Sequence, residues 1–282
     1  MAMIMWCGKE RPFRMVRSQV YQLLYHPILV VLKGVAIMEI LTNSSQPYLY
    51  YDNNSNINML YCHGEGMKTL FFGNSYSIKA WKIYHKNYLN NYIVKVSTPK
   101  HINGLGSVIL ECNPHIYQNY LYCTLGTNAG HNKPLEYHLC RFEFSEINDT
   151  LLLGEVEVLQ KTFTGTYYNG NLIFADPRKN GNLIISNTQT AESSEIVLPV
   201  QYVYKLNKIF NTDQFIVTGQ TETNQYCSYL YDNQWNLIKE ITNSNGEPIY
   251  KCSILDNILI YTVKNDTSAE ENRSLVQESW PV

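Results

Sequence analysis

Three carboxylates stand where strand-borne chemistry could be done. Glu247 lies directly ahead of Pro248 in GEPIYK, Glu111 two residues ahead of Asn113-Pro114 in ECNPHIY, and Asp176 directly ahead of Pro177 in FADPRKNG. Two carboxyl groups facing each other across a cleft are what glycosidic hydrolysis needs, about 5 to 5.5 Å apart for retention and about 6.5 to 9.5 Å for inversion. Glu247 combines a carboxylate with the position just before a strand-opening proline, so it is the first candidate, with Glu111 or Asp176 as its partner on another unit. Asp52 and Glu65 are further carboxylates in turn or loop positions. Each also reads as a solvated turn residue, Asp176 above all, because Asp ahead of proline favours turns.

Aromatic residues form a second set. Tyr48, Tyr117 and Tyr250, with Asn113 and His115, fall near the starts of predicted strands. Flat aromatic faces beside amides suit sugar rings or peptide surfaces, although tyrosine is also an ordinary strand residue. Other chemistries lack their signatures. None of the 7 histidines forms HExxH, and the 7 cysteines contain no CxxC pair, so no metal site is expected. No dinucleotide fingerprint, P-loop or GxSxG elbow is present, and no cofactor is expected. A net charge of -2 without a Lys/Arg stripe predicts no nucleic-acid partner. The most apolar window, residues 20 to 40, is interrupted by His26, Pro27, Lys33 and Gly34, so no membrane span or signal peptide is expected. Nothing in the chain points to a compartment.

The elements that must position these residues are strands. Of 282 residues 13% are aromatic, with 23 tyrosines, and only 16% are charged, which suits strands and Asn-rich turns. The segment Asn113 to Phe144 reads as strand, Gln118-Asn119 turn, strand, polar loop, strand. Similar phrases begin at Gln46, at Gly165, at Lys208 and at Glu247. Aligned on Leu60, Leu121, Leu172, Phe215 and Leu259, they recur at intervals close to the roughly 40 to 50 residues of a four-stranded blade, with loop insertions in the first two. The pattern predicts an all-β chain folded as a β-propeller with five blades, six being the alternative. Residues 1–18 form a peripheral arm and residues 19–282 a single propeller domain, with 19 to 40 either an extra blade or the strands that close the ring. Cys62 and Cys123 both follow Leu-Tyr, and are predicted to be buried equivalents, unjoined and facing separate interblade cores.

The phrases SQPYLYY, ECNPHIY and GEPIYK resemble the blade openings of five-bladed propellers of the arabinanase, xylosidase and invertase type. The resemblance spans short phrases, whose residues ahead of proline are Gln46, Asn113 and Glu247. It implies acidic residues at the starts of the innermost strands, facing a central funnel, one serving as base or nucleophile and another as acid. Three functions are therefore expected. The first is a propeller that binds a glycan or protein ligand through loops at one end. The second is a glycoside hydrolase-like enzyme. The third is a structural component of a larger assembly, in keeping with the low-charge, Asn/Tyr-rich composition.

Overall fold

Turn chemistry sets the lengths of the strands. Asp52 accepts the backbone N–H groups of Asn54 and Asn56 at 2.8 Å, while the Asn56 amide reaches back to the same carboxylate at 3.0 Å. The same five-residue turn recurs at Asp232–Asn236 and, with the roles of acid and amide exchanged, at Asn243–Glu247. Its fourth residue is left-handed each time: Ser55, Trp235 and Gly246 have φ of 60°, 67° and 79°. Other hairpins close through longer loops, such as 209–214 and 221–225, or in two residues. Asn169 and Gly170, both at positive φ (46° and 77°), make the tight turn whose twist matches that of the flanking strands.

The computed structural model describes residues 39–43, 47–71, 74–88, 92–96, 101–102, 106–128, 136–147, 150–176, 181–264 and 273–280. The predicted arm over 1–18 and the apolar runs up to residue 38 lie outside the described residues. Among the described residues there is no helix, and five antiparallel sheets follow one another along the chain. A strand β1 (Glu39–Asn43) precedes the first sheet, which holds β2 (Tyr48–Tyr51), β3 (Ile57–Phe71), β4 (Asn74–Asn87) and β5 (Tyr92–Val96). The second adds a short β6 (His101–Ile102) beside β7 (Gly106–Tyr117), then β8 (Tyr120–Asn128), β9 (Glu136–Ile147) and β10 (Thr150–Lys161). The third runs β11 (Thr164–Tyr168), β12 (Asn171–Ala175), β13 (Asn182–Asn187) and β14 (Ser193–Val197). The fourth runs β15 (Tyr202–Lys208), β16 (Phe215–Gln220), β17 (Tyr226–Tyr231) and β18 (Leu237–Glu240). The fifth holds β19 (Tyr250–Leu255), β20 (Ile258–Lys264) and β21 (Arg273–Ser279), with β1 as its outer strand through Glu39↔Gln277 to Asn43↔Ser274. The chain is a five-bladed β-propeller. Its N-terminal strand completes the last blade, which closes the ring and pairs an edge that would otherwise stand open.

Leu121, Leu172 and Leu259 pair with the penultimate residues of their inner strands, Ile116, Tyr167 and Ile254. In blade four that place belongs to Ile216, opposite Asn207, so the expected alignment on Phe215 is one residue early. The unit itself starts before Lys208: β15 is its inner strand.

Blade faces meet over apolar layers. Between blades one and two pack Tyr48, Leu60, Ile83, Ile116, Leu121 and Phe142. Between three and four pack Ile173, Leu183, Leu206, Phe215 and Val217. Ile216, Leu230, Ile254 and Leu259 join four to five, and Leu49, Met59, Leu255 and Ile260 join five to one. Blades two and three meet through stacked rings, His115 on Tyr122 at 5.3 Å and Tyr122 on Tyr167 at 6.4 Å. Cys62 and Cys123 are buried and not joined by a disulfide, as expected from the sequence, but they share the layer between blades one and two instead of facing separate ones.

Two glycines test how far backbone approach dictates residue choice. A Cβ on Gly181 (φ 65°) would lie 1.7 Å from the Val200 carbonyl oxygen, whereas one on Gly170 (φ 77°) would meet nothing within 4 Å. Gly170→Ala should cost only the left-handed penalty of roughly 1–2 kcal/mol. Gly181→Ala must also displace backbone and should cost about 3 kcal/mol or more. Urea unfolding of the two variants measures the difference, and equal losses would contradict this packing.

Candidate functional site

The inner strands β2, β7, β11, β15 and β19 are tied into a circuit by polar contacts. The Tyr48 hydroxyl of blade one donates to the Ile116 carbonyl of blade two at 2.5 Å. His115 of blade two meets the Thr166 hydroxyl of blade three at 2.8 Å. Thr164 of blade three accepts the Leu206 N–H of blade four at 3.0 Å. Lys205 of blade four donates to the Cys252 carbonyl of blade five at 2.9 Å, and to that of Pro47 at the start of blade one. Ser253 of blade five accepts the Leu49 N–H of blade one at 3.2 Å. Every blade is bonded to the next, and Lys205 spans from the fourth to the first.

Burial sets the ionisation of this hub. Desolvation lowers the Lys205 ammonium to about 7, with Lys251 adding to the fall. A neutral amine has two N–H groups, and they match the two carbonyls. Burial likewise lowers His115 to about 3; the Asn113 carbonyl works against the fall and Lys205 adds to it. With Nδ1–H given to Asn113 O at 3.2 Å, the neutral ring accepts the Thr166 hydroxyl proton at Nε2. The described side-chain contacts between the inner strands are made by a lysine, a histidine, a tyrosine and hydroxyl side chains.

The predicted site residues separate accordingly. Tyr48, Asn113 and His115 are buried in or beside the hub, and Asn113 bears the bulge of β7 at φ 53°. Tyr117 lies at the far end of β7, against Tyr168 at 5.7 Å and under the Lys208 ammonium at 5.2 Å. Glu247 is exposed, and its carboxylate closes the Asn243 turn at 2.8 Å. Glu111 lies on β7 opposite Leu125. Asp176, at the end of β12, and Tyr250, at the start of β19, reach the end of the propeller where the inner strands begin, its mouth.

At the mouth runs an arc of half-buried rings. Tyr137 at the start of β9 contacts Phe163 at 5.0 Å, and Phe163 contacts Tyr204 at 6.4 Å. Tyr204 meets Tyr226 at 5.8 Å and Tyr250 at 6.5 Å, and these two lie 4.4 Å apart. The arc thus crosses blades two to five. Below its centre, between blades three and four, is an open cleft of about 260 Å³ lined by Phe163, Asp176, Asn182, Tyr202 and Tyr204, with the buried Ala175 and Val203. Tyr202 is 40% exposed. Asn182 donates its amide to Glu195, and the Tyr204 hydroxyl donates to Gln220 at 2.8 Å. Of the arc, only Tyr250 is among the residues that the sequence singles out. A signal for Tyr204 is present, since PVQYVYK repeats the order of proline followed by a tyrosine-rich strand. Phe163 and Tyr137 carry no such mark. Among the described residues, no group of three His, Cys, Asp or Glu side chains is placed to hold a metal, and no helix is long and apolar enough to cross a membrane.

No protein-family model matches the chain, and no curated protein matches it in sequence. Among solved structures it is similar to a luciferin-regenerating enzyme, at 8% identity and TM-score 0.45 over 88% of this chain and 96% of that one. It is similar to a putative oxidoreductase (glucose dehydrogenase) of Thermus thermophilus at 9% identity and TM-score 0.45, over 86% and 100%. A chain of the mitotic checkpoint complex matches at 8% identity and TM-score 0.41, over 100% and 99%.

Lys205 gives the hub a pH signature. Its folded pKa is depressed to about 7 from an ordinary value of 10.5, so between these values the unfolded chain binds more protons and stability rises with pH. The slope approaches about 1.4 kcal/mol per pH unit. From about pH 7.5 to 9.5 the wild-type protein should gain ~2 kcal/mol of unfolding free energy over Lys205→Met, which lacks the group. Parallel pH profiles for the two proteins would show that the amine is not neutral in the fold.

Proposed function

We propose that this propeller is a recognition module that takes a glycan or protein ligand at its mouth. The observation that carries the reading is the arc of half-buried rings with a carboxylate and an amide in the cleft beneath it. Aromatic faces supply contact area at little entropic cost, and a few polar groups fix orientation. The hub supports the same reading: its polar atoms are engaged between blades, which leaves the mouth as the surface able to receive a ligand.

A glycoside hydrolase-like activity, related to the arabinanase, xylosidase and invertase type, is the second reading. Asp176 favours it, as the candidate carboxylate that lines the cleft. Glu247 or Glu111 would have to serve as its partner.

The purified protein can be passed over immobilised plant, bacterial and host glycans and a peptide library, with retention and released sugar both measured. Retention without release is expected, weakened about 3- to 10-fold by Tyr204→Ala, the value of one aromatic contact. Glu247→Gln should leave retention unchanged, because its carboxylate belongs to a turn. Sugar release that falls at least ~100-fold in Glu247→Gln would establish the hydrolase instead. Retention of neither class would overturn both readings in favour of an assembly component.

A further inference from the structure

We infer that the outer edge of blade two is a second interaction surface, which takes an extended, basic segment of a partner protein as a further strand beside β10. The surface lies on the outer wall, so it is independent of what the mouth binds.

Length sets this edge apart. The outer strands of the other blades, β5, β14, β18 and β1, have 4 or 5 residues, whereas β10 has 12. Exposed edges are kept short in most proteins because their unpaired N–H and C=O groups recruit other strands. Among the described residues, no strand pairs with the outer side of β10. Its first stretch also outruns the blade. β8 pairs with β9 only as far as Tyr120↔Glu143, while β9 and β10 continue together to Thr150↔Ile147.

The two faces of that hairpin differ. Leu151, Phe144 and Leu153 belong to the layer between blades one and two. Side chains alternate across a strand, so Ser145, Ile147, Thr150 and Leu152 share the opposite face. There Ile147 is 56% and Leu152 45% exposed. Glu143 follows Ser145 on the same face, and a bulge in β10 sets Gly154 and Glu155 opposite it.

Charge defines the partner. Glu143 and Glu155 are exposed, and neither is engaged in an ion pair or hydrogen bond among the described residues. By contrast, Glu157 is held by Arg141 at 2.7 Å and Glu136 by Lys161 at 2.6 Å. An entering strand therefore meets apolar surface at Ile147 and Leu152, then two carboxylates without a cation of their own. Valine-like residues followed by lysine or arginine on one face of the strand complement that order. A helix laid on this face would leave the backbone edge of β10 unpaired. A second copy pairing β10 with β10 would add two more carboxylates to the same edge.

Fluorescence anisotropy with labelled extended peptides of about eight residues tests this. One carries two valines and then two lysines on one face, with threonine on the other. Its counterpart has glutamate for lysine, and a third is the lysine peptide with a central proline. The lysine peptide should bind about 3- to 10-fold more tightly than the glutamate peptide. Proline removes a ladder donor and should cost at least ~10-fold. Leu152→Thr should weaken the lysine peptide about 3- to 10-fold. Glu155→Lys should abolish the preference for lysine over glutamate. Both positions are exposed, so both variants should keep the wild-type urea midpoint. Hydrogen exchange should slow between residues 150 and 158 when the lysine peptide is added. Equal binding of the proline or glutamate peptide, protection confined to other strands, or no binding would overturn the inference. Self-association of the protein that Leu152→Thr abolishes would overturn it in favour of a second copy.

Discussion

A fully buried amine that reaches carbonyls on two other blades is the contact on which the ring depends. Withdrawing a lysine from water is costly, and the penalty falls on the charged form. The fold lowers that cost by depressing the group's pKa to about 7 and giving the amine two acceptors, Cys252 O and Pro47 O. Because Pro47 opens blade one and Cys252 lies in blade five, the amine of blade four bridges the place where the ring closes. The outer closure, β1 against β21, pairs the same seam at its rim. A propeller whose blades touch only their neighbours is held by local interfaces, and Lys205 adds a contact that skips one.

The hub constrains what the remaining side chains can do. His115 is positioned by Asn113 and Thr166 and stacked on Tyr122, so it is a neutral link between blades two and three. Its depressed pKa adds stability that is lost as pH falls below the unfolded value near 6.5, because the unfolded chain then takes up a proton the fold excludes. Tyr48 is fixed in the same way by Ile116. These side chains are engaged in holding the blades together.

The architecture is legible because turns and strand openings are local. Asn169-Gly170, Asp52 with Asn56 and the prolines at 47, 114 and 248 each act within a few residues, and together they mark the blades. The sequence pattern opens the fourth blade at Lys208, the last residue of its inner strand, because that strand opens two residues after Val200 with no proline directly ahead. The site is less legible. Glu247 before Pro248 reads as a blade-opening acid, but a Glu four residues after an Asn can also close a turn, and the choice depends on the backbone between them. The contacts that tie the blades at the hub join residues 42 to 204 positions apart, and no local pattern announces them. Likewise Tyr137, Phe163, Tyr204 and Tyr250 lie far apart in the chain and become one feature only when the ring closes.

The blades are unequal at the mouth, and this shapes what the arc can face. In blade one, β3 and β4 stay paired from His63↔Lys82 to Phe71↔Asn74, whereas β5 joins only over Ile83–Asn87, so a two-stranded ribbon continues past the blade. In blade two, β7 and β8 run on beyond the bulge at Asn113 to Ser107↔Asn128. The strands of blades three to five are 4 to 7 residues long. Among the described residues, therefore, strands run further at the mouth end in blades one and two than in blades three to five. The arc starts at Tyr137 in blade two and continues over the blades with short strands, with the cleft between blades three and four.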